Sequence, residues 1–198
     1  MPVAKGQPLD PAATRARVLD AASRLFYERG TLAVGVNDVA EEAGVSKVTL
    51  YRHFDSKEAL VARFLEQRSD RVSAWLRRVS EREDLAPAER VLALFDALGE
   101  WFAEPAFRGC ALVNGAVEAR ALEGAARDIA SRHLGRHLDL LRELASAGGF
   151  ADPEELARQL LILVEGATTV AFVRGDPDAA GHARRIAAAL LSGPPRRS

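Results

Sequence analysis

The chain has 198 residues, of which 48% are hydrophobic and 28% are charged, and its net charge is −1. This length and composition suffice for one sizeable core, or for a small head on a larger body, and they exclude a globally disordered chain. The nearly balanced charge excludes a protein that coats DNA as a histone does, so any DNA binding must be local. The single cysteine excludes an internal disulfide framework and a cysteine zinc cluster.

The N-terminal segment is not expected to be a signal peptide. Residues 1–11 contain Pro and Gly but no apolar core of signal-peptide type, and the chain closes with GPPRRS, so residues 1–11 and 193–198 are predicted to be flexible termini. The longest apolar run, LLILVEGATTVAFV, is too short and too interrupted to span a bilayer. These features predict a cytoplasmic protein without a membrane partner.

The first helix presents Val18, Ala22 and Leu25 on one face and ends at Gly30. The segment VNDVAEEAGVSKVTLYRHFDSK, residues 36–57, then predicts two short helices separated by a turn. The first of these ends at about Ala43, and Gly44 follows where a helix end favours positive φ.

Ser46 is the expected N-cap of a third helix from Lys47 to His53. The inner face of this helix is apolar, with Leu50 and Phe54, whereas its outer face is polar, basic and aromatic. Such a helix fits the major groove of B-DNA. The alternative is an ordinary helical hairpin with a charged solvent face.

The remaining chain contains no strand signal and predicts six more helices. A capping box of Asp55 and Glu58 is expected to open a long helix four, which connects the head rigidly to the body. Helix five lies between two prolines, helix six starts near Phe107, and helix seven covers Ala125 to Ala145. Helices eight and nine are expected to open with the Asp-Pro pairs at residues 152–153 and 176–177.

The predicted fold is therefore all-α with about nine helices. Residues 12–57 form a three-helix DNA-binding head with a helix-turn-helix, and residues 58–192 form a larger helical domain for ligand binding and dimerisation.

The segment AGVSKVTLYRHFDSKEAL, from Ala43 to Leu60, resembles the DNA-binding domain of the tetracycline-repressor (TetR) family of transcriptional regulators. The resemblance extends at motif level from Arg17 to Glu58. It implies an all-helical homodimer that binds a partly palindromic double-stranded DNA operator and leaves it when a small molecule binds in the core.

The resemblance places the recognition helix at Lys47 to His53 and a phosphate contact at Lys57. Family members usually have Thr or Ser where this chain has Val34 and Gly35, so Gly35 is expected to cap helix two, with Asp38 in its first turn. The candidate DNA-binding residues are Gly35, Asn37, Lys47, Val48, Thr49, Tyr51, Arg52, His53 and Lys57.

Helix eight is apolar almost all round, more than one interior face requires. The resemblance implies that the last two helices form a four-helix bundle across a two-fold axis, whereas a buried central helix in a monomer is the alternative. The residues expected at the dimer interface are Leu160, Leu163, Val164, Ala167, Val170, Ala171, Ile186 and Leu190.

An apolar cavity with a few polar groups is expected inside helices four to seven. Its predicted lining residues are Trp75, Trp101, Phe102, Phe107, Cys110, Asn114, Glu118, His133, His137 and Leu141. The alternative is that the aromatic residues are simply core. His133 and His137 stand four apart, a spacing that suits one metal ion, but they equally suit an organic ligand or no ligand, and no metal or cofactor is predicted.

These features predict a ligand-responsive, sequence-specific transcriptional regulator, a repressor that a small molecule releases from its operator. A regulator that senses redox state or electrophiles through Cys110 is an alternative, because a helix start and Arg108 would lower the pKa of its thiol. An enzyme that uses the helical pocket is a further alternative. The sequence argues against it, with no phosphate loop, no H-E-x-x-H motif and no nucleophile beside a base.

Overall fold

The computed structural model describes residues 10–118 and 125–192, and its regular elements are all α-helices. The predicted all-α class with about nine helices is confirmed. The helices are α1 (Pro11–Arg29), α2 (Val36–Glu42), α3 (Lys47–His53), α4 (Lys57–Ser80), α5 (Pro87–Phe102), α6 (Ala111–Glu118), α7 (Ala125–Ala147), α8 (Pro153–Arg174) and α9 (Ala179–Leu191). The predicted flexible termini lie outside the described residues except for Asp10 and Pro11, which cap and open α1.

The helix-turn-helix forms as the local sequence dictates. Gly44 adopts a φ of 64°, which lets the chain reverse between α2 and α3. The Ser46 hydroxyl then accepts a hydrogen bond of 3.0 Å from the amide of Thr49, which satisfies a free donor at the start of α3. Leu50 and Phe54 are buried beneath this helix. The bounds of α3 and its cap agree with the prediction.

The predicted capping box of Asp55 and Glu58 is wrong. Ser56 caps α4, and its hydroxyl accepts a hydrogen bond of 3.1 Å from the amide of Ala59, while Asp55 is exposed. The chain is extended at Ser56, with φ −154° and ψ 171°, so the serine side chain lies over the first turn. Asp55 is one residue too far from the helix to reach the same amides.

Two other helix starts lie later than predicted. Gly109 adopts a φ of 73° and interrupts the chain, so α6 begins at Ala111 and Phe107 stays in the preceding turn. Asp176 accepts a hydrogen bond of 3.0 Å from the amide of Asp178 and forms a turn before α9, which begins at Ala179. By contrast, Asp152 caps α8 as predicted, and its carboxylate accepts from the amide of Glu155.

The helices enclose two hydrophobic cores, and α4 and α7 contribute residues to both. In the first core, Phe26 of α1 packs against Phe64 of α4 with 5.7 Å between ring centroids, and Leu112 of α6 and Ile129 of α7 complete the cluster. In the second core, Leu76 of α4 packs with residues of α5, α7, α8 and α9. The predicted division at residue 57/58 thus falls at the start of α4, whose first half packs with the head.

Helix α8 runs for 22 residues, longer than the apolar run read from the sequence. By length and composition alone it is long and apolar enough to cross a membrane, which corrects the sequence-based statement that the run is too short. In the folded chain α8 packs against α7 and α9, and Leu160, Val164 and Ala167 of α8 are buried in the second core.

Candidate DNA-reading surface and body cavity

The outer surface of α3 presents a mixed set of side chains. Val48 and Tyr51 are 64% and 40% exposed, unusual values for large apolar and aromatic residues, and Lys47 and Arg52 are also exposed. Thr49 and His53 are half-buried at the edge of this surface. The predicted residues of α3 therefore lie on one short helix whose inner face is held by the core. We call this outer surface of residues 47–53 the reading surface.

Two contacts link α1 to the helix-turn-helix. The guanidinium of Arg15 lies 4.9 Å from the centroid of the Phe54 ring, just after α3. Arg24 of α1 forms an exposed ion pair of 2.6 Å with Glu42 of α2. An exposed pair of this kind contributes little to stability, so the buried side chains carry the packing of the head.

Gly35 caps α2 through its backbone, since it has no side chain to do so. Its amide donates a hydrogen bond of 2.7 Å to the Asp38 carboxylate in the first turn, as predicted for this pair. Val34, which stands where family members usually have Thr or Ser, is fully buried and packs in the core. Gly35 and Asn37 are exposed beside this turn.

The start of α4 carries charges of both signs. Lys57 is half-buried, whereas the carboxylate of Glu58 is exposed. Hydrogen bonds from its own backbone amide and from the Ser56 hydroxyl lower the pKa of Glu58, so it remains anionic at the helix start. A phosphate contact at this end therefore depends on the Lys57 ammonium rather than on the helix amides.

Helix α8 carries an exposed apolar stripe. Ile162, Val170 and Val173 lie at helical spacing with Gly166 and Thr169, and Ile162 and Val173 are 70% and 73% exposed. Ile186 adds an exposed apolar side chain on α9. We call Ile162, Val170, Val173 and Ile186 the apolar stripe.

Half of the predicted dimer residues lie elsewhere. Leu160, Val164, Ala167 and Ala171 pack inside the protomer, so they are not available to a partner and this part of the prediction is corrected. Val170 and Ile186 remain exposed, and Leu163 and Leu190 are half-buried at the edge of the core.

Five of the predicted cavity residues do come together. Trp75, Trp101, Cys110, His133 and His137 line one small cavity, with Arg68, Glu165 and Thr168 among the other wall residues. Its volume is about 20 Å³, which is room for roughly one water molecule. We call this space the core cavity.

An outer groove of about 290 Å³ lies between α4 and α5 on the other side of the two tryptophans. It shares Arg68, Val72, Trp75 and Trp101 with the core cavity. The Trp75 and Trp101 rings meet edge to face, with 6.2 Å between their centroids. The tryptophan pair thus forms the wall between the two spaces.

The other five predicted cavity residues lie outside the core cavity. Phe102 and Leu141 are buried in the second core, and Phe107 packs on Trp101 with 4.9 Å between ring centroids. Asn114 donates a hydrogen bond to the backbone carbonyl of Arg108. The fifth residue, Glu118, contacts the head instead and is described below.

The two histidines form a buried polar cluster between α4 and α7. His133 Nδ1 lies 3.0 Å from the Ser69 hydroxyl, and the ring centroids of His133 and His137 lie 4.1 Å apart. Burial lowers the pKa of His133 to about 3, so its ring is neutral at physiological pH. Among the described residues no group of three or more His, Cys, Asp or Glu side chains is placed to hold a metal ion.

Two family models match this chain. The model described as bacterial regulatory proteins, tetR family, matches residues 18–64, and the model described as tetracyclin repressor-like, C-terminal domain, matches residues 87–187. The chain belongs to the TetR family. The two matches cover the helix-turn-helix and most of the helical body, so the resemblance inferred from the recognition helix is confirmed over both parts.

Individual relatives agree with this membership. An uncharacterized HTH-type transcriptional regulator of Mycobacterium tuberculosis is 42% identical over 76 residues, which are 38% of this chain and 37% of that protein. The HTH-type transcriptional repressor KstR2 of Rhodococcus jostii is 49% identical over 51 residues, which are 26% of this chain and 25% of the repressor. The chain thus matches well under half the length of these curated relatives.

The likeness to a solved structure is more extensive. A crystal structure of a TetR-family transcriptional regulator from Streptomyces coelicolor matches 91% of this chain and 95% of its own, with 28% identity and a TM-score of 0.84. The likeness in fold therefore includes the helical body.

In this TetR-family chain Glu118 ties the body to the head. Its carboxylate accepts hydrogen bonds from the amide and the hydroxyl of Thr31, at 2.7 and 2.6 Å, and from the amide of Leu32 at 3.2 Å. Thr31 and Leu32 lie in the loop between α1 and α2. Gly30 has a φ of 85°, and a Cβ there would lie only 2.8 Å from a Glu118 oxygen.

Tyr27 and Arg68 form a second junction between head and body. The Tyr27 hydroxyl donates to the carbonyl of Gly109 and accepts from the amide of Arg108, and the Arg68 guanidinium lies 4.1 Å from the Tyr27 ring centroid. No local sequence pattern predicts these tertiary contacts. The sequence did carry a signal for the histidine cluster, since Ser69 and Ser73 repeat the four-residue spacing of His133 and His137, although only Ser69 lies at hydrogen-bond distance from a histidine.

The predicted direction of the Cys110 pKa is wrong. Burial and the nearby charge of Glu165 raise the pKa of the Cys110 thiol from 9.0 to about 11, although the amides of Val113 and Leu112 act in the opposite direction. Arg108 gives no local support to a thiolate, because its guanidinium donates to the carbonyls of Pro105 and Phe107. The thiol is therefore protonated and poorly nucleophilic.

Native Cys110 should consequently react slowly with iodoacetamide. A rise of two pH units in the thiol pKa reduces the thiolate fraction about a hundredfold, and the reaction rate should fall by about the same factor relative to the unfolded chain. Mass spectrometry of protein alkylated at about pH 8, with and without denaturant, measures both rates. Equal rates in the two samples would contradict this assignment and restore the sensor alternative.

His133 should make the protein sensitive to mild acid. Its folded pKa of about 3 lies below the ordinary value of 6.5, so as the pH falls the unfolded chain takes up a proton that the folded chain does not. The stabilisation is complete above the unfolded pKa and is lost as the pH falls towards the folded one. Its pH slope is at most about 1.4 kcal/mol per pH unit.

The measurement is the free energy of unfolding in urea at several pH values between about 7 and 5. His133→Gln should have a shallower pH slope than the wild type, whatever its absolute stability. His182→Gln is the matched control, because His182 is exposed on α9 and its loss should leave the slope unchanged. A wild-type slope in His133→Gln would refute the prediction.

Proposed function

We propose that this TetR-family chain is a ligand-responsive transcriptional repressor, which binds a palindromic operator as a cytoplasmic homodimer and leaves it when a small molecule enters the body. One observation carries the proposal. The reading surface lies on α3, whose buried Leu50 belongs to the same core as Leu60 and Phe64 of α4, and α4 also forms walls of the core cavity and of the outer groove. An effector in the body and an operator at the head therefore act on one rigid element.

The composition of the reading surface supports contact with DNA. Val48 offers an apolar contact for a thymine methyl group, and Tyr51 and Thr49 offer hydroxyl groups. Lys47 and Arg52 supply positive charge for phosphates or base edges, and Lys57 adds a phosphate contact at the start of α4. The assignment rests on the exposure of these side chains together with the family resemblance of the recognition helix.

The charge of the head supports binding by two heads at once. Residues 1–57 contain eight Lys or Arg side chains and seven Asp or Glu side chains, so one head attracts DNA weakly. Two heads on a rigid dimer bind with the advantage of a high effective concentration. A two-fold dimer also matches a palindromic operator whose half-sites lie about 34–36 Å apart.

The apolar stripe supports dimerisation through α8 and α9. Exposed apolar side chains at helical spacing cost free energy in water, and a second copy covers them by applying the same surface about a two-fold axis. The small Gly166 lies within the stripe on α8, which allows the helices of two protomers to approach closely.

Tyr51→Ala and Arg52→Ala should each weaken operator binding by about 1–3 kcal/mol, because each removes a side chain that faces DNA and neither is part of the core. Fluorescence anisotropy with DNA from the chain's own promoter, in excess nonspecific DNA, measures the affinity. Arg78→Ala is the control, since Arg78 is exposed on α4 far from the reading surface. Wild-type affinity in both reading-surface variants would remove the assignment.

The double variant Val170→Asp and Ile186→Asp should be monomeric, because it places two carboxylates in each copy of the stripe. Sedimentation equilibrium measures the mass, and far-UV circular dichroism checks that the helices persist. Ser131→Asp, on the exposed face of α7, is a control for added charge. A dimer of unchanged stability in the double variant would contradict the proposed interface.

A further inference from the structure

His137 is a buried polar side chain without a partner. Its side chain is 7% exposed, and neither ring nitrogen forms a hydrogen bond in the described part of the chain. A neutral imidazole has one N–H donor and one nitrogen acceptor, and leaving them unpaired away from water is costly. The ring lines the core cavity, so a group in that cavity can satisfy it.

Glu165 is the charged side chain beside the His137 ring. Its Oε1 lies 3.7 Å from His137 Nδ1, which is too long for a direct hydrogen bond. One oxygen atom fits at normal hydrogen-bond distance, about 2.8 Å, from both of these atoms. Such an oxygen donates to the carboxylate and accepts from the imidazole N–H. Only a hydroxyl group or a water molecule does both with one atom.

The core cavity and the outer groove differ in size and therefore suit different parts of one ligand. The core cavity of about 20 Å³ accepts one water-sized group, whereas the outer groove of about 290 Å³ accepts a ring system. Trp75 and Trp101 separate the two spaces and offer aromatic faces and edges to a planar ring. A flat aromatic body in the groove with one hydroxyl group in the cavity matches this division once Trp75 or Trp101 moves aside, because the hydroxyl group is bonded directly to the ring.

The charges around the core cavity favour an uncharged ligand. The cavity wall holds one carboxylate, Glu165, and one guanidinium, Arg68, while the raised pKa of Cys110 keeps its thiol neutral. A ligand carboxylate at the bridging position would lie at hydrogen-bond distance from Glu165 and be repelled. An ammonium group would leave the enclosed site with an excess positive charge beside Arg68.

We propose that the effector is an uncharged hydroxylated aromatic molecule of the phenol or naphthol class, whose hydroxyl group bridges His137 and Glu165 and whose ring packs on Trp75 and Trp101. The word effector rests on the proposed function, but the binding itself does not. The hydroxyl group links α7 to α8, and the ring enters between α4 and α5. The ligand thus reaches the helix that carries the reading surface.

The test is calorimetric titration of the full chain, without DNA, using 2-naphthol as the probe. Three analogues share its ring system: 2-methoxynaphthalene, which cannot donate a hydrogen bond, 2-naphthoate, which is an anion, and 2-naphthylmethylamine, which is a cation. The wild type should bind 2-naphthol at least about tenfold more tightly than each analogue, since each leaves a buried partner unpaired or misplaces a charge.

Two variants locate the hydroxyl site. Glu165→Gln, whose neutral amide oxygen is a weaker acceptor than the carboxylate, and His137→Phe should each bind 2-naphthol about tenfold more weakly, with a smaller preference over 2-methoxynaphthalene. Glu155→Gln is the matched control on α8, because Glu155 is exposed and outside the cavity, and it should bind as the wild type does. The melting temperature of each variant confirms folding. If His137→Phe does not fold, Glu165→Gln alone decides, because its side chain has nearly the same shape.

The proposal is overturned if the wild type fails to bind 2-naphthol up to its solubility limit, or if any analogue binds as tightly. It is also overturned if folded Glu165→Gln retains the wild-type affinity and preference. Failure of the proposed function has a different signature, namely loss of specific binding to promoter DNA in the absence of any ligand. The two experiments share no readout, so either hypothesis can fail alone.

Discussion

The structure depends on the continuity of α4, a single helix that is buried in both cores. Leu60, Phe64 and Leu65, from its first half, pack in the core of the head, and Leu76, from its second half, packs in the core of the body. A helix of 24 residues is about 36 Å long and resists bending, because its backbone hydrogen bonds would have to lengthen. Displacement of the body end is therefore transmitted to α3, which lies on the head end.

Helix α6 and the loop before it form a second connection between cavity and head. Gly109 and Cys110 line the core cavity, and the carbonyl of Gly109 accepts the hydrogen bond from Tyr27 of α1. At the other end of α6 the Glu118 carboxylate holds the loop that leads into α2. The head thus contacts the body through α4 and through α6. A shift at the cavity acts on α1 and α2 as well as on α3.

Local signals predicted the recognition helix to the residue, because they all agreed there. Gly44 requires a reversal, Ser46 supplies a cap, and Leu50 and Phe54 fix the buried face. Where two capping residues compete, as at Asp55 and Ser56, sequence spacing alone does not decide. The cap is the residue whose backbone is extended directly before the first helical turn, and this conformation at Ser56 is known only from the structure.

The body was less predictable for three physical reasons. Helix α8 is apolar on most of its surface, so periodicity does not distinguish Leu160, which is buried, from Ile162, which is exposed. Glu118 bonds to Thr31 across 87 positions of sequence, a contact that no local pattern contains. For Cys110 the sign of the pKa shift depends on whether burial or nearby amides dominate, and only the packed structure determines this.

The small volume of the core cavity bears on how an effector can act. A ligand changes the equilibrium between two conformations only if it binds one of them more tightly. A cavity of about 20 Å³ behind a tryptophan wall accepts the hydroxyl group of an aromatic ligand only after Trp75 or Trp101 moves. For the proposed ligand, binding therefore requires displacement of the wall that Trp75 of α4 and Trp101 of α5 form.

In the proposed mechanism, displacement of this wall is transmitted to the reading surface through α4. Trp75 belongs to α4, so a ring that separates α4 from α5 in one protomer changes the direction of the helix that carries its reading surface. In a two-fold dimer the same change occurs in the other protomer, and the distance between the two recognition helices changes by both contributions. Because the half-site spacing of duplex DNA is fixed, the proposed homodimer is expected, once liganded, to lose one of its two head contacts with the operator and the high effective concentration that comes from binding with two heads.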